Sequence, residues 1–149
     1  MAYDGARAVA YAKTWAFARN PLWGDFSGLG GDCANFASQC LFAGGCGMDF
    51  SPEGWFYRSM RDRAPAWSGS SELMAYLLRS GRGEACRLDQ LPLGGLIFLS
   101  NGSRVYHVLV AVRPDGENTR VASHTRDALM APLSGYEAAA FFPVRIAAF

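Results

Sequence analysis

The sequence predicts an α+β fold in a single domain spanning residues 1–149. Three observations predict it. Apolar residues recur at helical spacing in the first half of the chain, and runs rich in β-branched residues at strand length dominate the second half. No linker, repeat or low-complexity stretch separates the two halves. Helices first and strands later is the pattern of helices packed on one small antiparallel sheet. A chain of 149 residues buries about 70% of its unfolded surface, enough for a core without covalent staples.

Asp4 caps a first helix over residues 4–19, with Ala8, Tyr11, Ala12, Trp15 and Ala16 on its buried face. Asn20-Pro21 ends it, because the residue before a proline is driven out of the helical region. A second helix starts at Cys33 and runs to Ala43. Phe36, Ala37, Cys40 and Leu41 share one face of it, and Gly44-Gly45 stops it. Residues 45–70 are punctuated by glycine and proline and carry Trp55, Tyr57 and Trp67, so they form an irregular arm. Ser70 or Ser71 caps a third helix, with Leu73, Met74, Leu77 and Leu78 inward and Gly81 after it. Strands then take over. Residues 96–99 join 104–112 through Asn101-Gly102, a two-residue hairpin signal. Residues 119–124 and 140–146 complete the sheet.

The most informative segment is Gly30-Gly31-Asp32-Cys33-Ala34-Asn35-Phe36, where a loop turns into a helix at the cysteine. A thiol in a first helical turn feels the positive end of the helix dipole and unpaired N–H groups, which favour the nucleophilic thiolate. Asp32 opposes this with an adjacent negative charge. The plain alternative is a buried structural cysteine, as free cysteines are among the most buried residues. Asn35 and Ser38 project from the same helix, where they satisfy neighbouring backbone groups.

The chain has two histidines, His107 and His124, both in strand-like sequence. If Asp115-Gly116 is a two-residue turn, Pro114 faces Glu117 and, counting outwards, His107 faces His124. A type I turn followed by a bulge instead puts Ser123 opposite His107 and leaves His124 diagonal to it. In the second register the diagonal pair is still within reach. A cysteine at a helix start, a histidine on a strand and a polar residue on the next strand make a Cys–His–X arrangement. Cys33 attacks a carbonyl, His107 moves the proton, and His124 orients His107. The Cys33 N–H stabilises the oxyanion, and a second donor comes from residues 23–31.

Tyr11-Ala12, Asn20-Pro21, Gly31-Asp32-Cys33-Ala34-Asn35-Phe36-Ala37-Ser38-Gln39-Cys40-Leu41, Gly44-Gly45, Trp55-Phe56-Tyr57 and Trp67 come in an order that resembles the putative amidase domain family. Leu93-Gly94-Gly95-Leu96-Ile97, Tyr106-His107-Val108 and Ser123-His124-Thr125 continue the pattern over nearly the whole chain. The family is similar to papain-like cysteine peptidases, near the NlpC-type endopeptidases and the CHAP amidohydrolases. The resemblance implies a papain-like, NlpC-type fold with the nucleophile helix packed on the sheet. It implies Cys33 as nucleophile, His107 as base, His124 as third member, and Asp32 as a residue that binds a substrate amine. Ala34 stands where the family usually has threonine, and Gly95 where an acidic residue follows Gly94. Both departures touch substrate preference rather than the nucleophile or base.

The activity implied is cysteine-dependent hydrolysis of an amide bond in a peptide or cell-wall peptide, through a thioester. A thioester acyltransferase and a non-catalytic binding module on the same fold are the alternatives. Trp55 and Tyr57 are candidate substrate-groove residues, with packing of the arm as the plainer reading. Arg126 and Asp127 follow His124 closely and are candidates to shape the site, with a solvated ion pair as the plainer reading.

Bulk properties narrow the classes. A net charge of +1 with scattered basic residues leaves no nucleic-acid footprint. No apolar run is long enough to span a bilayer. Asp4, Arg7 and Lys13 interrupt what would be the apolar core of a signal peptide. The expectation is a cytoplasmic chain, or a domain excised from an exported protein. Cys33, Cys40, Cys46 and Cys86 have no zinc-like spacing, so no metal and no cofactor are expected. Cys33 and Cys40 lie about 10.5 Å apart along a helix, too far for a disulfide. Cys46 and Cys86 are the pair a disulfide could still join.

Overall fold

The computed structural model describes residues 2–147. Helix α1 runs Gly5–Trp15, and the Asp4 carboxylate accepts from the Arg7 N–H at its start, as the sequence suggests. It ends a turn earlier than expected. The Trp15 carbonyl, which a longer helix would use internally, accepts instead from the Ala18 N–H and from His124. Helix α2 is Cys33–Ala43, with the expected bounds, and its residues 33–41 are all buried. It is the central helix, packed between α1 and the sheet strands.

The arm at 45–70 is more ordered than a loop. It holds a two-stranded hairpin, β1 (Tyr57–Ser59) and β2 (Asp62–Arg63), and a short helix α3 (Pro65–Ser68). Two polar side chains of α2 hold it. Asn35 accepts from the Trp67 indole N–H at 2.8 Å, while Ser38 accepts from the Trp55 indole at 3.0 Å and donates to the Trp67 carbonyl. Helix α4 is Ser70–Ser80, closed by Gly81 in the left-handed region. Gly69 occupies its N-cap, and neither Ser70 nor Ser71 caps it by its side chain. Leu73 and Leu77 point inward as expected, Tyr76 joins them, and Leu78 is 40% exposed.

The strands β3 (Gly83–Ala85), β4 (Leu96–Ser100), β5 (Val105–Arg113), β6 (Arg120–Ser123), β7 (Ala128–Pro132) and β8 (Ala140–Ile146) form one antiparallel sheet. Their order is β3-β8-β4-β5-β6-β7. The fold is therefore α+β with a large sheet and a small one, six strands where the sequence suggested four. Strands β3 and β7 went unforeseen because they are short, include glycine or proline, and have no alternation of apolar and polar residues.

The sheet has two faces. Leu96, Phe98, Val108, Val110, Val112 and Ala122 pack against the helices together with Cys33 and Phe36. Ile97, Leu99, Leu109, Ala111 and Val121 face the other way, under Leu91 and Leu133. Neither expected hairpin has a two-residue turn. Asn101 closes a longer loop, its N–H on the Arg104 carbonyl and its side chain accepting from the Ser103 and Arg104 N–H groups. Between β5 and β6 a 3-10 turn at Gly116–Asn118 lengthens the connection.

Candidate active site

Cys33 is the first residue of α2, and its side chain opens into a cleft of about 130 Å3. Gly30, Gly31, Ser70, Arg104 and Tyr106 line that cleft. The Sγ atom lies 3.2 Å from the Ser70 hydroxyl. Asp32 sits at the N-cap but makes no capping bond with its side chain. Its carboxylate turns inward, accepting from the Phe26 N–H at 2.8 Å, from Asn35 Nδ2 at 2.9 Å and from His124 Nδ1 at 2.6 Å. Arg19 Nε stands 3.6 Å away. The first-turn N–H groups beside the thiol are thus left without a side-chain cap, the arrangement that receives negative charge at a helix start.

Backbone geometry supports this start. Gly31 has φ +117°, and a Cβ there would come 2.9 Å from the Thr125 hydroxyl. That hydroxyl accepts from the Asp32 N–H at 2.9 Å. Thr125 and Arg126 both have positive φ, 60° and 62°, an arrangement that β-branched residues adopt only under constraint.

All four cysteines are free thiols. Burial pushes Cys46 up to about 12 and raises Cys40 and Cys86 as well. Cys33 faces a cleft from a helix start, whereas Cys86, just after β3, lines a separate cavity with Glu84 and Arg145.

The two histidines do not meet. In β5 and β6, Val110 faces Ala122 and Ala111 faces Val121, one residue from the register of a two-residue turn. A one-residue difference moves side chains to opposite faces. His124 therefore falls on the helix side, where its ring stacks on Phe36 with centroids 4.1 Å apart. Its Nε2 donates to the Trp15 carbonyl at 2.8 Å, and its Nδ1 is held by Asp32. With both nitrogens bonded to oxygens, the ring has nothing left to orient His107. The pairing of His124 with His107 is thus corrected to a pairing with Asp32.

His107 lies on the other face. It is opposite Leu99, and it lines a larger cavity of about 360 Å3 with Tyr106, Thr125, Arg126, Tyr136 and Glu137. Burial, with the Arg126 charge second, pushes its ring down to about 4. A β-bulge causes this orientation. Leu99 pairs with His107 and Ser100 with Val105, so Tyr106 is the extra residue of β5. Tyr106 borders both the Cys33 cleft and the His107 cavity.

Three further expectations are corrected. Asp32 is fully buried and bonded, so it is not open to a substrate amine. Trp55 is fully buried against Trp67, and the Tyr57 hydroxyl accepts from the Gly24 N–H, so both pack the arm and line neither cavity. Arg126 and Asp127 are not a pair, since Asp127 takes a two-pronged contact from Arg19 at 3.1 Å. Sequence reasoning missed Ser70 and Tyr106 as site residues, and gave Arg126 only as a neighbour of His124 that could shape the site. Ser70 looked like a helix cap, and nothing in the sequence marks the bulge or the left-handed turn that place the other two.

The central helix thus opens on a thiol and packs against an antiparallel sheet. The chain belongs to the putative amidase domain family, whose profile matches residues 2–144. It is also 31% identical over 151 aligned positions to the uncharacterized protein YhbB of Bacillus subtilis (strain 168). That alignment covers 95% of this chain and 47% of the relative, so the chain spans about half the length of the curated relative it matches. No solved structure matches the chain. The family points to amide hydrolysis in general terms.

Proposed function

We propose that this chain is a cysteine amidase or peptidase on a papain-like, NlpC-type fold, and that it cuts an amide bond in a peptide or cell-wall peptide. The observation that carries the reading is the placement of Cys33: a free thiol at an uncapped helix start, facing a cleft. The sulfur bonds to the amide carbonyl carbon, the C–N bond breaks, and the amine leaves with a proton. Water then cleaves the thioester, releasing the carboxylate and restoring the thiol. The Cys33 N–H receives the oxyanion.

His107 is the proposed proton carrier, and it has to turn to reach the thiol. Moving the extra residue of β5 from Tyr106 to Val108 leaves Ser100–Val105 and Ile97–Leu109 paired, as they are now. His107 would then pair with Phe98, whose side chain is on the helix face. The arrangement described above is the resting state in this reading, with Ser70 covering the thiol. His124 acts as a positioning residue for Asp32 and the start of α2.

A binding module on the same fold is the second reading, favoured by the outward orientation of His107. Turnover of a peptide-amide panel separates the two. Cys33→Ala should abolish hydrolysis while leaving the thermal unfolding midpoint within a few degrees, and full activity in that variant would end the nucleophile assignment.

A further inference from the structure

The cavity that holds His107 contains a cation without a partner. Among the described residues Arg126 makes no ion pair and no hydrogen bond, although Glu137 lines the same cavity. Two opposite charges left more than 4.0 Å apart around a cavity of about 360 Å3 leave the guanidinium available to a ligand. The backbone spends strain to put it there, because Thr125 and Arg126 are consecutive left-handed residues and Thr125 is anchored by the Asp32 N–H. Tyr106 and Tyr136 supply aromatic walls, with the Tyr136 ring 6.3 Å from that of His107. Tyr106 also walls the Cys33 cleft, so the two cavities meet at one side chain.

We propose that Arg126 is a specificity residue that binds a free carboxylate of the substrate, so that the peptides cut here carry an acidic group beside the scissile amide. This rests on the amide-hydrolysis reading for its link to turnover, but not for the binding itself. A guanidinium presents a planar fork that fits a carboxylate with two parallel hydrogen bonds, whereas a neutral amide accepts only one bond and has no charge. Glu137 on the same rim keeps the positive field local, so the site selects a carboxylate placed at Arg126 rather than any anion nearby.

The test uses the full chain carrying Cys33→Ala, so that binding is read without hydrolysis. N-acetyl-alanyl-alanine and its C-terminal primary amide are titrated while the His107 ring protons are followed by NMR, assigned with a His107→Gln chain. The acid should shift the His107 resonance with at least tenfold higher affinity than the amide. Arg126→Gln should remove that preference, and Arg126→Lys should keep part of it. Equal affinities for acid and amide, no shift with either, or an undiminished preference in Arg126→Gln would overturn the assignment. Because Arg126 is exposed, these variants are expected to fold normally. Loss of the preference with hydrolysis intact in the Cys33 chain would count against this site alone. A sound preference in a chain that never hydrolyses peptides would count against the amidase reading alone.

Discussion

Replacing His124 with alanine tests whether this ring is a structural anchor or a member of the reacting group. Its side chain is 2% exposed and bonds at 2.6 Å to an Asp32 side chain that is 1% exposed. Removing one partner of a buried pair of this kind costs about 3–5 kcal/mol. The stacking on Phe36, with centroids 4.1 Å apart, accounts for about 0.5–1.5 kcal/mol of the loss. Asp32 keeps the Phe26 N–H, Asn35 and the nearby Arg19, which places the expected cost near the lower end, about 3 kcal/mol. In urea, with a slope of about 2 kcal/mol per molar, the midpoint should fall by roughly 1.5 M. Asp32→Asn should couple to it, so that the double variant loses less than the sum of the single losses. A His124→Ala chain with stability within about 1 kcal/mol of the parent but no peptide turnover would refute the structural role and return His124 to the catalytic group.

Three other outcomes follow from the same geometry. The His107 ring titrates at about 4 against an ordinary 6.5, mainly through burial, so the unfolded chain takes up a proton there that the folded chain refuses. Stability should rise with pH between those two values, by at most about 3 kcal/mol, and this slope should disappear in His107→Gln when urea midpoints are compared across pH. Gly31→Ala should cost about 1–3 kcal/mol, since φ +117° suits only glycine and the new Cβ would press on the Thr125 hydroxyl. Thermal unfolding reads it directly, and a stabilised variant would contradict the positioning of α2 by Thr125. Ser123 Oγ is buried without a partner among the described residues, so Ser123→Ala should be neutral or stabilise by up to about 1 kcal/mol.

The helices were legible because their signals are local. Asp4 at the start of α1, the spacing from Cys33 to Leu41 and Gly81 after α4 each state a boundary within a few residues. The central strands were legible for the same reason, as β4 and β5 are apolar runs buried along most of their length. The site was legible only in part. Cys33 announces itself by standing between a glycine-rich loop and a helix, but the facing of the histidines depends on register. Register between β5 and β6 is set by a 3-10 turn at Gly116–Asn118 and a shift at Val112, and between β4 and β5 by the bulge at Tyr106. Trp55 and Tyr57 looked like groove residues because aromatic side chains serve both roles equally well. The hydrogen bonds that Trp55 donates to Ser38 and that Tyr57 accepts from Gly24 decide for packing.

The most direct test of the central claim is iodoacetamide alkylation of the native chain across pH, with the modified cysteine located by mass spectrometry. Cys33 should label faster than Cys46 and Cys86, and the advantage should be reduced in His107→Ala, because the ring must turn to the thiol for the reactive state to form. Labelling of Cys33 no faster than that of Cys46 or Cys86 would contradict a nucleophile at this helix start. The cleft would then belong to a binding module.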